Sequence, residues 1–301
     1  MLRLATLCLA TLLTAQVSAA EDFTADEARA YLEEFAPQCE QGDAIACFNQ
    51  AVVLNNAAAP VQDLKQARLF YLKSCNQGAA TGCAVYGDFL IKGLGGPEDW
   101  AGARAVYKIG CDLDSPEACQ GFGLSALGGL GGAEDIDTAL PALKKACEGG
   151  MMKACYYYGA AYGPKGDAGL NVSVERDYMT RACNGGLPKA CYEVGVMIWE
   201  GRNPADDQSV MRNHFLMACE GGFDQGCYNY GYCLDEGIGG AADDAQARIY
   251  YKKACDMGDP QGCGNYGYML TNGEGGPRDL GAGKFFTDKS CEMKPALSGC
   301  Q

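Results

Sequence analysis

The sequence predicts an all-α chain, a solenoid of about seven helical hairpins that repeat every 36 residues, each stapled by a local disulfide. Three observations carry this: a cysteine ladder of fixed period, a column of helix-capping residues in the same register, and an N-terminal segment that marks the chain for export.

The N-terminal segment comes first in the chain and sets the redox compartment. Arg3 supplies a positive charge, an Ala/Leu/Thr run extends from Leu4 to Leu13, and small residues close the segment at Val17-Ser18-Ala19-Ala20. That pattern predicts a secretory signal peptide over 1–20, with an apolar stretch too short to span a bilayer. Cys8 follows Leu-Ala-Thr-Leu, a poor lipobox, so no lipid anchor is expected. Residues 21–301 are then expected to form a single soluble solenoid, secreted or periplasmic, and no later segment approaches the roughly 20 apolar residues of a membrane helix.

Removing the segment takes Cys8 and leaves 17 of the 18 cysteines. In an exported chain they point to disulfides, because nothing outside the cytosol keeps thiols reduced. A zinc site is disfavoured, since there is no Cys-x-x-Cys and His214 is the only histidine; no cofactor is expected. A formal charge of −14 argues against nucleic acid or anionic membrane surfaces as partners.

Cys39, Cys75, Cys111, Cys147, Cys183, Cys219, Cys255 and Cys291 stand 36 residues apart. Seven have a second cysteine eight residues on: Cys47, Cys83, Cys119, Cys155, Cys191, Cys227 and Cys263. The last pair, Cys291 and Cys300, is one residue wider. Glycine recurs three residues after the first cysteine (Gly42, Gly78, Gly150, Gly186, Gly222, Gly258) and four after the second (Gly87, Gly123, Gly159, Gly195, Gly231, Gly267).

Twelve residues before each later first cysteine stands Asp63, Asp99, Asp135, Asn171, Asp207, Asp243 or Asp279. Asp and Asn accept the free amides of a helix's first turn, so this column predicts seven helix starts. The helix after each cap is short and amphipathic: after Asp63, Leu64, Ala67, Phe70, Tyr71 and Cys75 recur at helical spacing. A second helix is expected near each second cysteine, ending at Gly-rich stops such as Gly93-Leu-Gly-Gly. At the front, Thr24-Ala-Asp-Glu27 forms a capping box that opens an N-terminal helix over 24–38.

The pairing follows from distance. Were one helix to run through both cysteines, their Cα atoms would lie about 12 Å apart at 1.5 Å per residue, whereas a disulfide tolerates at most about 7 Å. The chain must turn between them, at the Gly42-type position, and each bridge then ties the end of one helix to the start of the next. Pairing to a neighbouring repeat is the remaining alternative. Closing so short a loop stabilises by roughly 2–3 kcal/mol on the chain-entropy model.

Ala67, Ala103, Ala139 and Ala247 before an aromatic and the first cysteine, followed by Gly and Cys-Tyr-x-Tyr-Gly, resemble Sel1-like repeats. The 36-residue period and Cys-x7-Cys pairs are similar to the secreted cysteine-rich branch, the Helicobacter cysteine-rich proteins. The resemblance implies a right-handed superhelix of disulfide-linked α/α hairpins, related to tetratricopeptide repeats. It also implies binding of protein partners, with β-lactam binding or slow hydrolysis as the alternative, and a β-lactam or peptidoglycan-like small molecule as the corresponding ligand. Asp114 and Lys294 depart from it at the turn glycine, and Ala51 at the helix glycine.

No catalytic set emerges from the residues. Ser-x-x-Lys is absent. Gly123-Leu-Ser125-Ala-Leu127 comes near a nucleophile elbow, but Ser125 shares its register with Val53, Phe89, Ala161, Met197, Cys233 and Met269, an apolar column. His214 occupies a position held elsewhere by Phe70, Tyr178, Tyr250 and Phe286, which predicts a packing role. Asn171-Val-Ser173 matches a glycosylation acceptor, yet Asn171 also fits the cap column. Cys233 is left over from the pairs, and its apolar column predicts a buried free thiol.

A binding face is the stronger functional candidate. On the helix after the second cysteine, positions two, five and nine are expected to face away from the cysteines. They include Asn49, Asp88, Tyr157, Glu193, Asn229, Tyr232, Asn265 and Tyr268, with Asn56, Lys92, Glu200, Glu236 and Asn272. Asn, Tyr and acids in such rows suit hydrogen bonding to a peptide backbone, and a basic partner suits their charge. An ordinary solvated face is the equal alternative.

Overall fold

The computed structural model describes residues 23–58, 60–202 and 207–296. The expected signal peptide and Cys300 lie outside the described residues. Within them the chain forms fifteen α-helices, joined by short loops. They are α1 (Ala25–Glu40), α2 (Ala44–Asn56), α3 (Leu64–Asn76), α4 (Ala80–Lys92), α5 (Trp100–Asp112), α6 (Pro116–Leu127), α7 (Ile136–Glu148) and α8 (Met152–Ala161). They continue with α9 (Val172–Asn184), α10 (Pro188–Trp199), α11 (Gln208–Glu220), α12 (Asp224–Asp235), α13 (Asp244–Asp256), α14 (Pro260–Asn272) and α15 (Leu280–Met293). Two compact units divide them, α1–α7 and α8–α15, with the boundary between Gly149 and Gly150.

Within each unit the even-numbered helices, which carry the second cysteines, pair with the odd-numbered helices that follow them. Every capping residue of the predicted column does its work. Asp63, Asp99, Asp135, Asn171, Asp207, Asp243 and Asp279 each accept a first-turn amide through the side chain, at about 1 kcal/mol apiece. The even helices are capped less regularly. Asp43, Ser115 and Asp259 accept amides there, while Ala79, Met151, Leu187 and Phe223 offer no side-chain cap.

The turn into each even helix is fixed by backbone sign and by sulfur. Gly42, Gly78, Gly150, Gly186, Gly222 and Gly258 have φ between +86° and +102°. A Cβ there would meet no neighbour, so conformation alone demands glycine. Where Asp114 replaces glycine it adopts φ +67°, the single non-glycine in that region among the described residues. Short polar side chains tolerate that region best, and Lys145 donates to both the Asp114 carboxylate and the Cys111 carbonyl at 2.6 Å.

The bridges Cys39–Cys47, Cys75–Cys83, Cys111–Cys119, Cys183–Cys191, Cys219–Cys227 and Cys255–Cys263 hold Cα atoms 4.3–4.7 Å apart. Cys147, Cys155 and Cys291 are disulfide-bonded as well. The helix-end pairing is therefore the one present.

The glycine column within the even helices has a packing cause. Tyr107, Phe215 and Tyr251 insert beneath it, and a Cβ at Gly87 would stand 2.4 Å from the Tyr107 ring. Hairpins are further tied by an arginine seven residues before the first cysteine. Arg68, Arg104, Arg212 and Arg248 donate to loop carbonyls of Pro97, Ala133, Ala241 and Pro277 at 2.6–3.1 Å.

One hairpin reverses that device. Beside the loop that follows α10, Arg202 reaches back to Glu175 on α9 at 2.6 Å and to Glu200 at 2.7 Å. Glu175 fills the column held elsewhere by Ala67, Ala103, Ala139 and Ala247, so a carboxylate is buried where four other hairpins bury a methyl group.

At the N-terminus the capping box forms as expected, but α1 runs through Pro37 to Glu40, past the expected end at residue 38. Proline in the last turn removes only one amide donor, and the Gln38 side chain donates to the Glu34 carbonyl at 3.3 Å.

Candidate functional site

The even helices line pockets in both units. In the second unit a pocket of about 450 Å³ opens between α10 and α12. Tyr192, Val196 and Trp199 line it from α10, Tyr228, Asn229 and Tyr232 from α12, and Phe215 of α11 is also in its wall. Tyr192, Val196 and Trp199 follow i, i+4, i+7 spacing, which places them on one helix face. The rings support one another: Tyr192 lies 5.1 Å from Phe223 and 6.0 Å from Phe215, and Trp199 meets Tyr232 edge to face at 5.8 Å.

In the first unit the equivalent positions form a pocket of about 390 Å³, with Phe48, Val85, Asp88, Tyr107, Gln120 and Gly121 among its lining. The Tyr107 hydroxyl donates to the Asp88 carboxylate. Burial, then that bond and that negative charge, push the phenol far above its ordinary pKa, so Tyr107 stays a neutral donor. This pocket is less aromatic, and both carboxylates in its lining have partners: Asp88 accepts from Tyr107 and Glu117 from the Ser115 hydroxyl.

Three residues of the expected face fall in the lining of these pockets. Asn229 and Tyr232 line the second pocket and Asp88 the first. The Asn229 side chain is hydrogen-bonded to the Tyr192 hydroxyl, and Asn265 to that of Tyr251. Glu193 is half-buried on α10, and desolvation raises its carboxyl above the usual range. Tyr157 is exposed and packs edge to face on Tyr156, while Tyr268 stands 60% exposed outside the pocket.

Asn49 departs from expectation: it is only 1% exposed. α2 is enclosed between α1 and α3, and Ala46 through Leu54 are all buried, so this helix has no solvated face there. Two columns that the sequence offered only as marks of the repeat turn out to line the pockets. One is the residue immediately after the second cysteine, aromatic as Phe48, Tyr156, Tyr192 and Tyr228; the other supplies the buried rings four residues before the first cysteine, Tyr107 and Phe215. Both were visible as aromatic rows in the 36-residue register.

Other candidates resolve as packing. Ser125 is buried, as are Phe89, Ala161, Met197, Cys233 and Met269 in its column. His214 Nδ1 lies 2.8 Å from the Val210 carbonyl of its own helix. Among the described residues no cluster of metal-ligating side chains occurs, and no helix is long and apolar enough to cross a membrane.

Cys233 is a fully buried free cysteine whose thiol is pushed up to about 11 by burial. Thiolate is the reactive form, and burial hides what little exists at neutral pH. Iodoacetamide should therefore leave Cys233 unmodified in the native protein at pH 8 and label it fully in denaturant. Rapid native labelling, read by peptide mass, would contradict the burial.

An all-helical array of disulfide-closed α/α hairpins with ring-lined pockets on one helix set defines a repeat scaffold. The Sel1 repeat family model matches residues 44–78, 188–223, 224–259 and 260–294. Between these matches, residues 79–187 keep the same cysteine register. The structure is similar to a protective antigen from uropathogenic Escherichia coli with an SLR fold, at TM-score 0.76 and 20% identity. That match covers 89% of this chain and 61% of the antigen, so the chain spans less than two thirds of that relative's length. It is also similar to a Sel1 repeat protein from Oxalobacter formigenes, at TM-score 0.63 and 19% identity over 75% of this chain and 91% of that one. No curated protein matched. The chain is a cysteine-rich Sel1-like repeat protein.

Proposed function

We propose that the protein is an exported scaffold that holds an extended segment of a protein or peptide partner against its even helices. The observation that carries this reading is the pocket between α10 and α12, where aromatic rings surround Asn229. Large rigid rings supply contact area at little entropic cost, and an amide with both donor and acceptor suits a peptide backbone. Sel1 repeats in general mediate protein binding, in agreement with this. Export is supported by the disulfides, which form where thiols are not kept reduced, and by the leader-like composition of residues 1–20. The unbroken register from Cys39 to Cys291 supports treating the two units as one array. Neither pocket is lined by a serine or a cysteine, so the β-lactam reading gains no support from them.

The test is a panel of unstructured decapeptides titrated against the oxidised protein. At least one should bind, and Asn229→Ala and Tyr232→Ala should each weaken it by roughly tenfold. Lys252→Ala, on the exposed surface of α13, should change nothing. A panel without a binder, or binding indifferent to both pocket variants, would remove the assignment.

A further inference from the structure

The pocket between α10 and α12 combines open aromatic faces with acidic surroundings. Trp199 is 51% exposed, an unusual position for so large a ring, and meets Tyr232 edge to face. Tyr192 and Tyr228, in the same wall, are half-buried. The carboxylates of Glu193, Asp259 and Glu200 act on the Tyr192 hydroxyl. Asp259 also acts on Tyr228.

The cations of this region lie outside the pocket lining, though Lys189 and Arg202 also act on Glu193. Arg202 is committed to Glu175 and Glu200, Lys189 lies over the Tyr156 ring at 5.0 Å, and Arg212 over Tyr230 at 5.7 Å. The pocket therefore offers ring faces with no cation among its lining residues, and its nearest acid, Glu193, stands beside the lining as the neighbour of Tyr192.

Ring faces attract cations through their quadrupole, most strongly at tryptophan. A guanidinium is planar and weakly hydrated, so it stacks on such faces at lower desolvation cost than an ammonium. A pocket of about 450 Å³ has room for the head and its apolar stem. Resting on the peptide-binding reading above, we propose that this pocket receives an arginine side chain of the bound segment, stacked against Trp199 and Tyr232 and favoured by Glu193. The pocket of the first unit differs: its carboxylates, Asp88 and Glu117, already accept from Tyr107 and Ser115, and no tryptophan is in its lining.

The experiment compares four capped alanine-based peptides of equal length whose central residue is arginine, lysine, citrulline or leucine. Citrulline keeps the shape of arginine and lacks its charge. Calorimetric titration of the full oxidised chain should give binding at least tenfold tighter for arginine than for citrulline, with lysine between them. The difference should narrow in high salt. Trp199→Ala should remove most of the arginine advantage while leaving helical circular dichroism unchanged, since the ring is half exposed; Trp199→Phe should restore part of it. Glu193→Gln should weaken the arginine peptide several-fold and flatten its salt dependence. Citrulline binding as tightly as arginine, with Asn229→Ala still weakening both, would overturn the arginine assignment and leave the peptide site standing. If none of the four binds and the decapeptide panel also fails, both readings fall together.

Discussion

Reduction and alkylation of the disulfides are expected to unfold this protein at room temperature. The core explains why. Apart from a few rings such as Tyr71, Phe215 and Tyr251, the buried positions are dominated by alanine and the cysteines themselves. The six bridges with defined pairing close short loops, each at roughly 2–3 kcal/mol, together about 15 kcal/mol on the chain-entropy model. That matches or exceeds the net stability of an ordinary domain, about 5–15 kcal/mol. Helical circular dichroism should collapse in the reduced, alkylated sample and persist in the oxidised one. Because most bridged cysteines are nearly inaccessible, reductant should act slowly on the native chain and quickly in denaturant. A reduced protein that kept its helicity and a cooperative melt would show that packing, not sulfur, holds the hairpins.

The second large effect concerns Glu175 and Arg202. The Glu175 side chain is 7% exposed and that of Arg202 19%, so the pair is largely desolvated. Breaking it from one side should cost far more than from the other. Arg202→Met strands a buried carboxylate and should destabilise by about 3 kcal/mol. Glu175→Ala installs the residue that four other hairpins carry, and leaves Arg202 free to keep Glu200 and reach water. Its cost should be below about 1 kcal/mol, the range of exposed ion pairs. Urea midpoints of the two oxidised variants decide this; equal losses, or a harmless Arg202→Met, would mean the pair is not holding α9 to its loop.

Much of the fold was legible because its signals repeat. The caps from Asp63 to Asp279 and the turn glycines from Gly42 to Gly258 are local chemistry, and each recurs in register with the cysteines. The distance a disulfide can span then fixed where the chain turns. Irregular substitutions were harder. Nothing in the local sequence around Glu175 announces its partner, because Arg202 lies 27 residues away in a loop that has lost the Gly-rich pattern. Asn49 was placed on the face away from the cysteines by helical geometry alone, but α1 and α3 enclose α2 and bury that face.

The lining of the pockets was half legible for a related reason. Positions two, five and nine after the second cysteine captured Asn229, Tyr232 and Asp88. They missed Tyr192, Tyr228 and Trp199, which stand at positions one and eight. At about 100° per residue, a shift of one position turns a large part of the helix surface toward or away from a neighbour. How the even helix is rotated depends on the ring packed beneath its glycine and on its disulfide, both tertiary contacts.

The measurement that reaches the central claim most directly is photo-crosslinking of a bound peptide to the oxidised protein, with labelled positions mapped by mass spectrometry. The account predicts adducts within 192–199 and 228–232, lost on competition with unmodified peptide. Adducts confined to the exposed surfaces of α11 and α13, with those segments unlabelled, would contradict it.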